Sequence, residues 1–540
     1  MTAGDIHTVD RLRAMERYAR GLRAHLRQPL APAACHDIAA RVPGRREADF
    51  LRLIERLAGA GRATPAGRLL EHAGATPPDV EALVRAEGVE GALERLHAAG
   101  VYASLDEFKG RVAIVRGSLR LDVTADSFDS PFAAWDFAVT TGGSRSAGLP
   151  VSVSFALLAY EAAIERLFLE AFGLVERPFA LLRPAPPGAA GIKNILRKAS
   201  LGIATRRWFT PTPPFALRTS AGHAGLTLAT LALSRLWGRP IPWPRYVPPD
   251  QPEPILDWLA RQAAAGAPAH FDAPASAAAA LCARASAGGW DLRGTFFRVG
   301  GEPFTPAKAE LLAAAGCRWA AHYAMTEVGR IGLACADAQA LDDVHILEGK
   351  LALIERPALQ RGAGLPDGLF LTALHPAAPK VMLNVELGDY GVRLERACGC
   401  ALGAAGYTHH LHTIRSYEKL TAGGMHFLGS SLIQIIEERL APRFGGAPDD
   451  FQFAECEHQG VTHVALRVHP RLGPLDEDRV VAAVIEGLQA SAAGERMMAD
   501  IWQRGGTLRV ERTRPTLTRS GKILPLVTHA GAERSVAPTA

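Results

Sequence analysis

Along the first hundred residues, apolar positions recur at every third or fourth place. DRLRAMERYARGLRAHL (10–26), EADFLRLIERLAGAG (47–61) and EGALERLHAAG (90–100) each read as an amphipathic helix with a charged outer face. Near Phe132 the texture changes, and short β-like runs alternate with long helical stretches. AWDFAVTT leads into a Gly/Ser loop and then into LPVSVSFALLAYEAAIERLFLEAFG, a strand merging into a helix. FALLRP, a proline-rich loop at Thr210–Pro214 and the helix GHAGLTLATLALSRLWG follow. TFFRVGGEP, a helix at Thr305–Ala315 and RWAAHYAMTEVG complete the series. Such alternation predicts an α/β sheet flanked by helices. Past His345 the chain is rich in strands and turns, in VHILEGKLALIE, DGLFLTAL and KVMLNVELGDYGVRLE. The last stretch holds helix LGSSLIQIIEERLA, strands FQFAECE and VTHVALRVHP, a helix at Asp476–Ala490 and strand TLRVERT, a compact α+β unit. The expected organisation is a helical region over 1–130, an α/β core over 131–416 and a small α+β domain over 417–540, with no internal repeat.

Composition narrows the classes. With 48% hydrophobic and 21% charged residues the chain is globular in character, and at 540 residues two or three domains are expected. A net charge of +5, with no basic run interleaved with aromatics, argues against nucleic acid. The polar start MTAGDIHTVDRLRAMERYAR lacks a signal-peptide core. The apolar stretches 221–237 and 273–290 carry His223, Arg235 and Arg284, and so read as buried helices and not membrane spans. A cytoplasmic protein is the expectation. Seven cysteines, an odd number spread over a long chain, argue against a disulfide framework.

Five short elements could carry chemistry. VTTGGSRSAGLP (Val139–Pro150) joins two strands; its glycines, hydroxyls and free N–H groups can wrap phosphate oxygens, though Gly/Ser loops are common. RVGGEP (Arg298–Pro303) turns from a strand toward a helix. HYAMTEVG (His322–Gly329) offers a ring for a base, a hydroxyl for phosphate and a carboxylate for a divalent ion, or is simply a polar turn. NVELGDYG (Asn384–Gly391) sets an aspartate in a glycine-flanked turn, suited to a ribose diol or to closing a hairpin. LTRSGKILP (Leu517–Pro525) carries a lysine that, alone, would be a solvated surface residue.

In this order the five elements resemble the acyl-adenylate-forming superfamily of acyl-CoA synthetases, adenylation domains and luciferases. RLLEHAGATPPDVEALVRAEG (68–88) and the TTGGSRSAGLP loop are similar to the phenylacetate–CoA ligase branch, over most of residues 65–530. The resemblance implies a large adenylating domain of mixed sheets and a small α+β lid domain that rotates between half-reactions. It implies that Thr140, Thr141, Gly142, Gly143, Ser144 and Ser146 hold the β/γ-phosphates of ATP. Gly301, Glu302 and Pro303 would line adenine, Tyr323 would stack near it, and Asp389, helped by Arg415, would bind the ribose. Thr326 would meet the α-phosphate, Glu327 would hold Mg²⁺, and Lys522 would reach the reacting carboxylate from the lid. The implied reaction is ATP-dependent activation of a carboxylic acid with release of pyrophosphate. Transfer to CoA, to an acyl-carrier protein or to an amine would follow, in a homodimer if the habit of relatives holds. An aromatic or medium aliphatic acid would sit in an apolar pocket between Gly222–Leu233 and Val299–Glu327.

Two departures stand out. NVELGD replaces an RYRTGD-like strand, and IRSYEK replaces the GRxDD hinge, with Tyr417 and Glu418 at its acidic positions. Tyr417 at the pivot bears on the second half-reaction more than on adenylation. These departures favour a rival reading, a degenerate nucleotide- or acyl-binding scaffold; the retained TTGGS, TE and SGK elements oppose it. The same branch resemblance implies a structural Zn²⁺ on Cys335, His345, Cys398 and Cys400, a set matching zinc's four S/N ligands. The alternative is cysteines packed as small hydrophobes beside a surface histidine. Cys35, Cys282, Cys317 and Cys456 read as core. In YTHHLHT, strand alternation would put His410 and His412 on one face and His409 on the other, with no third ligand nearby, so a structural or substrate-side role is expected.

Overall fold

The computed structural model describes residues 3–41, 43–133, 136–140, 150–185, 190–214, 221–357, 367–416, 419–422, 425–428, 432, 434–458, 461–490, 493–516 and 526–527. The N-terminal region is helical as its periodicity predicts: α1 (Ala3–Arg27), α2 (Pro32–Arg41), α3 (Arg46–Ala58), α4 (Pro65–His72), α5 (Pro77–Ala98) and α6 (Leu105–Phe108). On α3 the stripe Phe50, Ile54 and Leu57 is buried. Thr76 and Asp79 form a capping box at the start of α5, with Pro77 at its first position, so local chemistry fixes where that helix begins. Gly88, at φ 74°, breaks α5 into two segments. The hairpin β1 (Ile114–Arg116) and β2 (Leu119–Leu121) closes the region.

The antiparallel pair β3 (Phe137–Thr140) and β4 (Pro150–Val153) runs into α7 (Phe155–Ala171). In chain order there follow β5 (Phe179–Leu182), α8 (Ala190–Ser200), β6 (Thr205–Thr210), α9 (Ala221–Leu236), β7 (Pro244–Tyr246) and α10 (Glu253–Ala264). Next come β8 (His270–Pro274), α11 (Ala275–Gly288), β9 (Phe296–Gly300), α12 (Pro306–Ala314), β10 (Arg318–Met325), β11 (Gly329–Leu333) and β12 (Val344–Ile346). The three-stranded sheet β13 (Leu351–Arg356), β14 (Gly368–Ala373) and β15 (Val385–Glu386) precedes β16 (Asp389–Glu395), the short helix α13 (Ala401–Ala404) and β17 (His409–Ser416). A ten-stranded sheet in the order β16-β17-β12-β11-β10-β9-β8-β5-β6-β7 organises this part. Its β10-to-β7 half is parallel, joined by helical crossovers, and its β16-to-β10 half is antiparallel. All five residues of β8 and all five of its neighbour β9 are buried, as strands covered on both faces require.

The turn at Gly388 (φ 72°) does not close a hairpin: β15 and β16 belong to different sheets, and the glycine carries the chain between them against Leu105. Past the hairpin β18 (Lys419–Ala422) and β19 (Met425–Leu428), the chain forms a small α+β unit. Its sheet, in the order β22-β21-β20-β23, comprises β20 (Phe451–His458), β21 (Val461–Val468), β22 (Leu508–Glu511) and β23 (Leu526–Val527). Phe451, Phe453, Val464, Leu466, Leu488 and Trp502 give it a separate core. It touches the large part where Thr462 Oγ1 lies 3.1 Å from Ser276 Oγ and Thr305 Oγ1 donates to Glu457 Oε2 (2.6 Å). No helix among the described residues is long and apolar enough to cross a membrane.

Candidate active site and Cys/His cluster

Parallel strands β9 and β10 lie side by side, with Gly300 opposite His322, so the GGEP and TE elements emerge together at their carboxyl ends. Open α/β sheets bind ligands at that edge. Gly301 sits at φ 87°, a conformation glycine tolerates, and turns the chain toward α12. The Glu302 carboxylate accepts from Ser276 N–H and Oγ, both at 2.7 Å, and so holds the first turn of α11. Pro303 O accepts from Lys308 Nζ at 2.8 Å. Beyond β10, Lys193 Nζ donates to Thr326 O at 3.1 Å, and buried Glu327 forms an ion pair with Lys109.

Tyr323 and Asp389, 66 positions apart, meet: the tyrosine hydroxyl donates to Asp389 Oδ2 at 2.7 Å, and Ser416 Oγ donates to Oδ1 at 2.8 Å. Burial and the Asp389 charge push the Tyr323 hydroxyl well above its ordinary pKa, so it remains a donor. Arg415 turns to Asp342 (3.2 Å) instead of Asp389, because Asp389 faces Ser416 in the β16–β17 register. Thr140 ends β3 opposite Pro150. Thr141, Gly142, Gly143, Ser144, Ser146, Tyr417, Glu418 and Lys522 lie outside the described residues. The flanks of the Lys522 segment are anchored on the small sheet: Thr516 N–H donates to Gln452 Oε1 at 2.8 Å, and Leu526 pairs with Phe453.

Behind these elements lies a cluster absent from the sequence reading. Four guanidinium groups (Arg183, Arg197, Arg298, Arg330) and three ammonium groups (Lys193, Lys198, Lys350) face three carboxylates (Glu161, Glu165, Asp272), all buried. Glu161 and Glu165 share one face of α7. Glu161 pairs with Arg197 (2.7 Å) and Lys350; Glu165 pairs with Lys198 (2.6 Å), Arg330 (3.2 Å) and Arg298; Asp272 pairs with Arg183 (2.6 Å) and Arg298. Burial alone would raise the Glu161 and Glu165 carboxyls, but the surrounding cations outweigh it and hold both well below the usual range. Burial depresses Lys198 to about 7 and Lys193 to about 8, against partial support from Glu165 and Glu161. The packing behind Arg298–Arg330 is therefore ionic, on the α7–α8 side of the sheet. The missed signal is helix GIKNILRK, where Lys193, Arg197 and Lys198 turn inward; a lone sequence assigns such residues to solvent.

The third feature was expected. Cys335 follows β11, His345 lies on β12, and Cys398 and Cys400 occupy the turn between β16 and α13. One donor atom from each lies within 4.8 Å of all the others, the one such group among the described residues. Cys335 Sγ and Cys398 Sγ are 3.7 Å apart, close to the edge of about 3.8 Å of a tetrahedron with 2.3 Å Zn–S bonds. His345 Nδ1 is 2.9 Å from Tyr407 O, which leaves Nε2 facing Cys400 Sγ at 3.1 Å. Gly403 N–H donates to Cys400 Sγ at 3.2 Å and supports a thiolate there. His345 is fully buried, so it is no surface histidine. His410 packs against His345 with its ring tilted by 47° (3.9 Å between centroids) and meets Asp343, while His409 pairs with Glu348. Cys35, Cys282 and Cys317 are buried and Cys456 is half-buried.

No protein-family model matches the chain, and no curated protein matches it in sequence. In structure it is similar to 2-hydroxyisobutyryl-CoA ligase, solved with 2-HIB-AMP and CoA in the thioesterification state. That likeness has a TM-score of 0.53 at 14% identity, over 90% of this chain and 89% of that one. An amide bond synthetase from Marinactinospora thermotolerans gives a TM-score of 0.43 at 12% identity, over 94% of this chain and 98% of that one. The o-succinylbenzoate CoA synthetase of Bacillus subtilis gives 0.41 at 12%, over 76% and 71%. The likeness to the hydroxyisobutyryl-CoA ligase shows the fold: a large α/β part of mixed sheets with a small C-terminal α+β unit, as in that enzyme.

Proposed function

We propose that this chain uses ATP to activate a carboxylic acid as an acyl-adenylate, releases pyrophosphate and passes the acyl group to a thiol, CoA or carrier protein, or to an amine. The observation that carries this reading is convergence. Gly301–Pro303, Thr326 and Glu327 emerge from adjacent strand ends, and Tyr323 from the same strand binds Asp389. A phenylacetate–CoA ligase-like member is the branch its motifs resemble.

The chemistry requires an anionic carboxylate to approach a charged α-phosphate, so positioning and charge neutralisation dominate. The Glu327 carboxylate is a hard oxygen donor that fits Mg²⁺, which would offset phosphate charge when bound, and the Thr326 hydroxyl would meet the α-phosphate. Lys109 is the ion-pair partner of the Glu327 carboxylate. Asp389, fixed by Tyr323 and Ser416, is oriented to accept from ribose hydroxyls, and Lys522 would neutralise the reacting oxygens from the small unit. The four-donor Cys/His cluster would hold Zn²⁺ in a closed, structural site that ties β11 and β12 to the β16–α13 turn. The second reading, a binding scaffold without turnover, is favoured by the Lys109 ammonium already engaging Glu327.

The test is carboxylate-dependent ATP–pyrophosphate exchange over a panel of acids, with wild type beside Lys522→Ala. Exchange by wild type and a loss of roughly 100- to 1,000-fold in the variant are expected. ATP binding with no exchange for any acid would leave the scaffold reading standing.

A further inference from the structure

The buried ionic cluster holds more than twice as many cations as carboxylates, and its surplus lies directly behind the candidate site. Lys193 reaches the backbone of Thr326, and a Cβ placed on Gly301 would lie 3.6 Å from Arg183 Nη1. Of the seven cations, Lys193, Arg183 and Arg197 keep the most exposure, at 9%, 6% and 5%. Three donors, Arg183 Nη2, Arg197 Nε and Arg330 Nε, are buried with no partner among the described residues. Buried charge without a counter-charge costs several kcal/mol per ion, so such an arrangement persists where something supplies the missing negative charge. The undescribed stretches that adjoin β3, α8, α9 and β23 in sequence, residues 141–149, 186–189, 215–220 and 517–525, carry no carboxylate, and they add Arg145, Arg218, Arg519 and Lys522. Glu327, whose charge also reaches Lys193, brings Lys109 with it, so the surplus of cations stands.

Resting on the adenylation reading, we propose that this cluster receives a further anionic group on the acid substrate, so that the chain activates acids bearing a second carboxylate or a phosphate. The reacting carboxylate is a poor candidate for the counter-charge. It loses its charge when it forms the mixed anhydride, and pyrophosphate then leaves with most of the negative charge of ATP. A permanent cluster of guanidinium groups suits a group that stays ionised through both half-reactions. Guanidinium also suits it by geometry, since its fork matches a carboxylate or phosphate in two bonds.

The test compares matched acids in ATP–pyrophosphate exchange: glutarate against pentanoate, and terephthalate against 4-methylbenzoate. The diacid of at least one pair is expected to exceed its partner in kcat/KM by about ten-fold or more, and Arg183→Gln to reduce that preference. Equal or better exchange with the monoacids, diacids failing, would overturn the substrate class while leaving adenylation intact. Should no acid support exchange, the adenylation reading fails by itself, and the unfolding midpoint of the wild-type chain without nucleotide tests the receptor. A rise with glutarate that pentanoate and sodium chloride at equal ionic strength do not give supports it, and no rise overturns it. If ATP alone raises the midpoint and glutarate adds nothing to it, the counter-charge belongs to the nucleotide and the proposal falls. Lys193→Gln serves as the second variant if Arg183→Gln does not fold.

Discussion

Removing a buried carboxylate should harm this protein far more than removing a buried cation beside it. Glu165 and Lys198 form an ion pair at 2.6 Å, each about 1% exposed in its side chain, so a symmetric view would assign them equal worth. Their surroundings differ. Glu165 is also the counter-charge for Arg298 and for Arg330 at 3.2 Å, where the attraction at an effective dielectric of about 20 is roughly 5 kcal/mol before desolvation. Glu165→Gln leaves three cations facing one another with one carboxylate fewer, and should cost about 3–5 kcal/mol of stability. Lys198→Met removes one member of the surplus, gives up the ammonium's contact with the Phe179 ring (4.8 Å) and leaves Glu165 with two guanidinium partners. Its cost should be about 0–1 kcal/mol, or the change should stabilise. Urea denaturation of both variants beside wild type, followed by a probe of the large α/β part, reads the ranking from the midpoints. Equal losses, or the larger loss for Lys198→Met, would refute the cationic surplus.

The same cluster sets a pH dependence. Lys198 titrates near 7 when folded and near 10.5 when unfolded, so across that window the unfolded chain binds more protons and stability rises with pH; Lys198→Met should flatten the rise in a denaturation series over pH 7–10. Gly329→Ala should cost about 2 kcal/mol or more, because φ is 77° and the new Cβ would lie 2.2 Å from Glu161 Oε1; an unchanged thermal midpoint would contradict that geometry. Elemental analysis of protein prepared without chelator should find close to one zinc per chain, lost in Cys400→Ser together with a lower midpoint; metal-free wild type would remove zinc from this cluster. Tyr323→Phe should raise the KM for ATP several-fold with little change in stability, by loosening Asp389, and an unchanged KM would detach that pair from nucleotide binding.

Local rules determined much of this protein from its sequence. Helix periodicity marked α3, and alternating strands and helices marked the α/β class. These are legible because 3.6- and 2-residue periods are properties of neighbouring residues. The order of five weak motifs also pointed to the fold, through the family they resemble, and the same resemblance named the Cys/His set. Only the tertiary structure decided which distant groups meet. It joined Tyr323 to Asp389 across 66 positions, turned Arg415 to Asp342 through strand register, and sent Gly388 from one sheet to another where a hairpin was an open alternative. It also turned Lys193, Arg197 and Lys198 inward against Glu161 and Glu165. A sequence gives each lysine the same charge wherever it lies; burial, and the company it keeps there, is a property of packing between segments far apart in the chain.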